Sequence, residues 1–131
     1  MSILPIDNPF LESLGVELTA WSEGYAEMRL AMTPTLANRS ARIHGGVLCT
    51  LLDSVAGYSG LYTPPGEPPL RGLTLSLTTN FLNSGSGAVL VAKGYTEHKG
   101  RSIYFSRAEV WQDDTRMLAT ATGAFKYYPM A

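Results

Sequence analysis

His44-Gly45-Gly46-Val47-Leu48-Cys49-Thr50-Leu51-Leu52-Asp53-Ser54-Val55-Ala56-Gly57-Tyr58-Ser59-Gly60-Leu61-Tyr62-Thr63 is the stretch whose reading decides the fold. Between residues 45 and 63, Asp53 is the only charged side chain. Val47, Leu48, Leu51, Leu52 and Val55 surround a helix on several sides, so this helix is expected to be wrapped by the rest of the chain. A carboxylate in such a setting must find hydrogen bonds or shift its protonation, and clefts where this happens are often catalytic. The same Asp53 can also cap a neighbouring segment or face solvent. The run has the length of a short membrane span, but Asp53 near its middle, with Gly57 and Gly60 after it, favours a buried soluble helix. Thr63-Pro64-Pro65-Gly66-Glu67-Pro68-Pro69 is expected to end it, because successive prolines cannot continue the hydrogen-bond ladder.

Upstream, Asn8-Pro9-Phe10-Leu11-Glu12 reads as a short helical turn, with Asn8 as cap and Pro9 at the first helical position. Strands are expected at 16–21 and 25–32 around the turn Ser22-Glu23-Gly24. In the second, Ala26, Met28, Leu30 and Met32 alternate with Tyr25, Glu27 and Arg29, the pattern of a half-buried strand. Pro34 and the polar segment 38–42 form a loop that leads into His44. Downstream, strands are expected at 72–82, 88–96, 102–112 and 117–128. Ser84-Gly85-Ser86-Gly87, Lys99-Gly100 and Asp113-Asp114 supply turns between them, which favours an antiparallel meander. Two strands, one apolar helix and a run of strands imply an α+β fold in which a curved antiparallel sheet wraps a long central helix.

Ten basic and eleven acidic residues leave a net charge of −1 without a run of like charge, so bulk attraction to nucleic acid or to a membrane is not expected. At 131 residues the chain is expected to be one domain, 1–131. Cys49 is the single cysteine, which excludes an intrachain disulfide and a multi-cysteine metal site and fits a reducing, cytoplasmic compartment. His44 and His98 lack metal-ligand spacing, so neither a metal nor another cofactor is expected. The first fifteen residues carry neither the basic nor the long apolar region of a signal peptide.

Asn38-Arg39-x-x-x-x-His44-Gly45-Gly46, then Asp53 nine positions beyond the histidine, then Thr74 within Gly72-Leu73-Thr74-Leu75-Ser76-Leu77, form an ordered set. This set resembles the hotdog-fold acyl-CoA thioesterases of the phenylacetate-pathway, PaaI-like type. The similarity continues through Lys99-Gly100-Arg101 and the segment 119–125. One departure stands out: Ala41 occupies a loop position where family members often carry glycine, and alanine accepts positive φ poorly. The resemblance implies hydrolysis of a thioester to a carboxylic acid and free coenzyme A, in a homodimer or a dimer-of-dimers tetramer whose sites are shared between subunits. A non-catalytic acyl-CoA-binding protein and an acyl-CoA hydratase are the alternatives. The His44 to Asp53 spacing disfavours the second.

Thioester hydrolysis develops negative charge on the carbonyl oxygen and needs an activated water or a nucleophile at carbon. The helix start exposes unpaired N–H groups and the positive end of its dipole, so Gly45 N–H is assigned to the carbonyl oxygen. Gly46 can bind substrate or simply start and pack the helix. Asp53 serves as general base on water or attacks directly through an anhydride. Asn38 can orient the thioester or water, or stabilise its turn. His44 is ranked as a positioning residue, and Thr74, placed on the polar side of its strand with Ser76 and Thr78, assists the acid or its water. Cys49 reads as a small buried helix residue. For the coenzyme A phosphates, Lys99 and Arg101 lead, with Arg71 and Arg39 as weaker candidates and ordinary solvated charge as the alternative for each.

Overall fold

The computed structural model, which describes residues 3–128, places the apolar run in a helix, α2 (Gly45–Ser59). It follows a short helix, α1 (Pro9–Leu14), and a hairpin of β1 (Glu17–Ser22) and β2 (Tyr25–Ala31). After it come β3 (Arg71–Phe81), β4 (Val89–Lys99), β5 (Ile103–Gln112) and β6 (Arg116–Tyr128). The local signals act as their chemistry dictates. Asn8 caps α1, its side-chain oxygen accepting from Leu11 N–H at 3.2 Å, and Pro9 opens the helix where no N–H is needed. Asp113 and Asp114 both adopt positive φ, 51° and 64°, at the centre of a turn that Thr115 N–H closes on the Gln112 carbonyl. α2 stops short of the expected Thr63, because Gly60 and Leu61 N–H fold back on the Gly57 and Tyr58 carbonyls before the prolines are reached.

The six strands form one antiparallel sheet in the order β1-β2-β4-β5-β6-β3. The expected meander therefore holds only for β4, β5 and β6. β3 does not pair with β4; it crosses to the far edge and pairs with β6, with Leu77 opposite Gly123. Ser84-Gly85-Ser86-Gly87 is consequently a crossover and not a hairpin turn. It is pinned by Ile43 N–H on the Gly85 carbonyl and by Gln112 Oε1, which accepts from Ser86 and Gly87 N–H. Glycine and serine favour tight backbone in either topology, and which strand β3 meets is set by packing at a distance.

α2 contacts all six strands, which a flat sheet could not achieve. The sheet is curved around the helix, the hotdog arrangement that the resemblance implies. Leu48, Leu51, Leu52, Val55, Ala56 and Ser59 are buried against it. Contact is closest at Gly94 of β4, where any Cβ would collide with the Val55 carbonyl. Tyr104 on β5 is fully buried and donates its hydroxyl to the Gly57 carbonyl at 2.7 Å. The wrapping is incomplete, contrary to expectation: Gly46 is exposed, and Cys49, Thr50 and Asp53, one and two turns on, are only half-buried. α2 thus has a core face and an open stripe, and Asp53 lies on the stripe.

Candidate active site

Asp53 projects from the middle of α2 toward β3, and Thr74 Oγ1 donates to its Oδ1 at 2.7 Å. A bulge makes this contact possible. Thr74 pairs with Phe125 but Ser76 pairs with Ala124, so Leu75 is the extra residue and the alternation of the strand shifts there. Thr74 consequently faces the helix together with Leu77, which packs on the core, and not with Ser76 and Thr78 on the polar side as expected. Leu73 and Leu75 point away and are 52 % and 53 % exposed. With one carboxylate oxygen held by Thr74, the other has no hydrogen-bond donor among the described residues and can meet a water or a carbonyl carbon.

Asp53 lines a groove of about 370 Å³ whose other walls are Asn8, Phe10 and Leu11 from the N-terminal segment, Cys49, Thr50 and Ser54 from α2, and Leu77 from β3. Sequence reasoning missed this wall. Phe10 is 59 % exposed yet lines the same groove as the acid, on a helix whose Leu11 packs into the core. Cys49 is half-buried on the groove instead of buried in the core.

A second group of residues gathers at the start of α2. An Ala37–Ile43 bridge closes the loop before it, and Asn38 Oδ1 accepts from Ser40 N–H at 2.8 Å and Arg42 N–H at 3.1 Å. The side-chain oxygen of Asn38 therefore holds its own turn, while its amide N–H groups have no acceptor among the described residues and can donate outward. Ala41 adopts a φ of 60° in that turn, so the loop keeps its left-handed residue even without glycine. His44 caps the helix: its Nδ1 accepts from Gly46 N–H at 2.8 Å. That fixes the tautomer, since an accepting Nδ1 leaves the neutral ring's proton on Nε2. Gly46 N–H is thereby occupied. Gly45 N–H, the first of the helix, has no acceptor among the described residues and is the donor left to polarise a carbonyl.

The two groups do not meet within one chain. Gly45 and Asp53 are eight residues apart on a straight helix, about 12 Å along its axis. The cation candidates lie elsewhere again. Lys99 is near the far end of α2, 3.5 Å from Glu23 and over the Tyr127 ring at 5.7 Å, and lines a cleft with Ser59 and Gly60. Arg101 is exposed on the following turn, Arg39 is exposed beside Asn38, and Arg71 opens β3. Burial raises the Tyr104 hydroxyl far above the ordinary tyrosine range, with Tyr127 and Asp53 nearby adding to it, so Tyr104 stays protonated and keeps donating. Burial also raises Tyr58, whose hydroxyl donates to the Ile6 carbonyl at 2.7 Å and ties the N-terminal segment to α2.

The chain is similar to known proteins over most of its length. The medium/long-chain acyl-CoA thioesterase YigI of Salmonella typhimurium is 25 % identical over 130 residues, covering 89 % of this chain and 84 % of its own. Acyl-coenzyme A thioesterase PaaI of Escherichia coli is 24 % identical over 113 residues, covering 86 % and 77 % respectively. Among solved structures, conserved protein PA5202 of Pseudomonas aeruginosa superposes with a TM-score of 0.82 at 25 % identity, over 95 % of this chain and 100 % of that one. The Escherichia coli PaaI structure gives 0.82 at 20 % identity, over 94 % and 86 %, a likeness of fold. The model of the thioesterase superfamily matches residues 41–119, from the Ala41 turn through α2 and into β6. That is more than half of the chain, and it carries both the start of α2 and Asp53: the protein belongs to the thioesterase superfamily.

Proposed function

We propose that this protein is a cytoplasmic acyl-CoA thioesterase whose active site is shared between two copies of the chain. The observation that carries the reading is Asp53, held by Thr74 on the open stripe of α2 and facing an apolar groove. Its own Gly45 is out of reach, so the carbonyl oxygen is received by Gly45 of the partner subunit, and at least a homodimer is required; a dimer of dimers keeps the same pairing. The free oxygen of Asp53 takes a proton from water as that water's oxygen bonds to the carbonyl carbon. Charge passes to the carbonyl oxygen, which Gly45 N–H stabilises, with the Asn38 amide as a second donor. Collapse breaks the carbon–sulfur bond, and the leaving thiolate takes the proton that Asp53 accepted, which restores the carboxylate. Direct attack by Asp53, giving an anhydride that water then opens, uses the same contacts. His44 keeps the helix start in place through Gly46 and transfers no proton. Lys99 and Arg101 receive coenzyme A phosphates.

Thiol release from a panel of acyl-CoAs tests the activity, and subunit mixing tests the shared site. Asp53→Asn and Asn38→Ala proteins are each expected to be impaired. After exchange, a heterodimer holds one site with both lesions and one with neither, so activity returns in proportion to heterodimer formed. No recovery despite verified exchange overturns the shared site. No thiol release from any acyl-CoA by the unaltered protein overturns the activity.

A further inference from the structure

The first N–H groups of an α-helix have no partner within it, and at the start of α2 each meets a different fate. His44 N–H donates to the Leu36 carbonyl at 3.0 Å, Val47 N–H folds back on the His44 carbonyl at 2.9 Å, and Gly46 N–H donates to Nδ1 of the His44 ring at 2.8 Å. Gly45 N–H is left over among the described residues, the donor assigned to the carbonyl oxygen. The ring reaches its place because position 46 is glycine: a Cβ there would stand 3.0 Å from Nδ1 and 3.2 Å from Cε1. The turn that presents Gly45 is therefore held by an imidazole on one side and by backbone on the others.

Of these contacts, the one to the ring alone depends on an atom that can take a proton. A neutral imidazole with its proton on Nε2 accepts at Nδ1, whereas an imidazolium carries protons on both nitrogens and sets N–H against the Gly46 N–H. It also brings positive charge to the positive end of the helix dipole. Neighbouring elements offer no carboxylate to offset that charge. The loop before the helix contributes Arg39 and Arg42, the end of β3 and the crossover contribute Phe81, Asn83 and Gly85, and Arg116 of β6 donates to Asn83 Oδ1 at 3.2 Å. On α2 the ionisable groups are Cys49, Asp53 and Tyr58, all a turn or more further on, and His44 has no ion pair among the described residues. The shared-site reading adds one more, Asp53 of the partner subunit. The ring is exposed and has solvent to swing into. Resting on the thioesterase reading above, we propose that His44 is a proton-operated latch on the entrance of α2: neutral, it holds the turn that carries Gly45 N–H, and protonated, it lets go and turnover falls. Loss of activity on mild acidification then belongs to the donor side of the site and not to the acid that activates water.

Two measurements test the latch, one of them without turnover. Histidine ordinarily changes charge between about pH 5 and 8, and the chain has two, His44 and His98. In nitrogen-15 NMR of the assembled protein over that range, the Gly46 amide is expected to shift with the same midpoint as the His44 ring, also in Asp53→Asn, where the partner's carboxylate is gone. The dependence should vanish in His44→Asn and His44→Ser, whose side-chain oxygens cap a helix without titrating. The second measurement is kcat at saturating acyl-CoA, because a phosphate monoester changes charge near pH 6 and would act through KM. Parental kcat is expected to fall at least about fivefold from about pH 8 to 5.5, the order of a lost cap. In the two cap variants it should vary less than about twofold over that range, whatever its level, while His98→Asn, on β4 beside Phe105, should keep the parental profile. The proposal is overturned by a Gly46 amide that ignores the ring, by a flat parental kcat, or by a fall that survives in both cap variants. Turnover with a pH profile untouched by the cap variants removes the latch and keeps hydrolysis. Absence of thiol release from any acyl-CoA at any pH removes hydrolysis, and the Gly46 amide then decides the latch by itself.

Discussion

The two faces of α2 are built from the same fifteen residues and solve opposite problems. The core face carries Leu51, Leu52 and Val55, each fully buried, and every contact it needs comes from its own chain. The open stripe carries Gly46, Cys49, Thr50 and Asp53, and its one charged group is secured by a single hydroxyl on an edge strand. On the proposed function one face supplies stability and the other chemistry, so substitutions on the two should separate cleanly.

The largest effect is expected at the stripe. Asp53→Asn should retain the fold, with a melting temperature close to that of the parent, and lose roughly 10²- to 10⁴-fold in kcat/KM for acyl-CoA, the range for a lost general base. Near-parental turnover would erase the distinction between the faces. The mirror experiment is Leu52→Ala, expected to cost about 2–5 kcal/mol in denaturant unfolding because Leu52 is fully buried and its cavity cannot collapse. Between them lies Thr74→Val, which removes the hydroxyl but keeps the shape. About a tenfold fall in kcat with little change in KM is expected if Thr74 positions the acid, and an equal fall in stability with unchanged kcat would make it a structural contact only.

Much of the core face was legible beforehand, because its causes are local. The spacing of Leu48, Leu51, Leu52 and Val55 marks the helix, and Asn8, Pro9 and the Asp113-Asp114 pair mark a cap, a start and a turn by their own chemistry. The stripe was legible only in part. Asp53 stands out by its charge, and the resemblance supplied its partners, but the side of β3 that Thr74 faces depends on a bulge at Leu75 that no alternation pattern reveals. The Phe10 wall and the placement of β3 beside β6 arise from contacts far apart in sequence. In the Asn38 loop the side-chain oxygen serves the turn, and the amide N–H groups have no acceptor among the described residues.

Smaller effects sharpen the comparison further. Ala41 holds a φ of 60°, which costs a non-glycine residue roughly 1–2 kcal/mol, while glycine there would give back about 0.5–1 kcal/mol through the greater entropy of its unfolded chain. Ala41→Gly should therefore gain up to about 1 kcal/mol in thermal unfolding, and a clear loss would mean that the methyl group is needed at the helix entrance. Alkaline pH should act through tyrosines whose protons burial holds, on both faces of the sheet. Tyr25, Tyr58, Tyr104 and Tyr127 are all raised by burial, so the folded chain holds their protons more tightly than the unfolded one. Their contribution is fully present below about pH 10, the unfolded tyrosine value, and is lost as pH rises through the higher folded values. Denaturant titrations between pH 8 and 12 should show this decline, and Tyr104→Phe should make it shallower.

Gly94 gives the seat of α2 an unusual property. Because the helix rests on bare backbone at Val55, its height above the sheet is set by a hard stop and not by the cushion of side chains around it. Asp53 stands two residues before that stop. Trimming or swapping neighbouring core residues should soften the protein while leaving the acid at its distance from Thr74, so chains of quite different stability would share one placement of the acid. A methyl group at position 94 would do the reverse: it would raise the floor and carry the acid out of alignment, a lever acting from the opposite side of the helix.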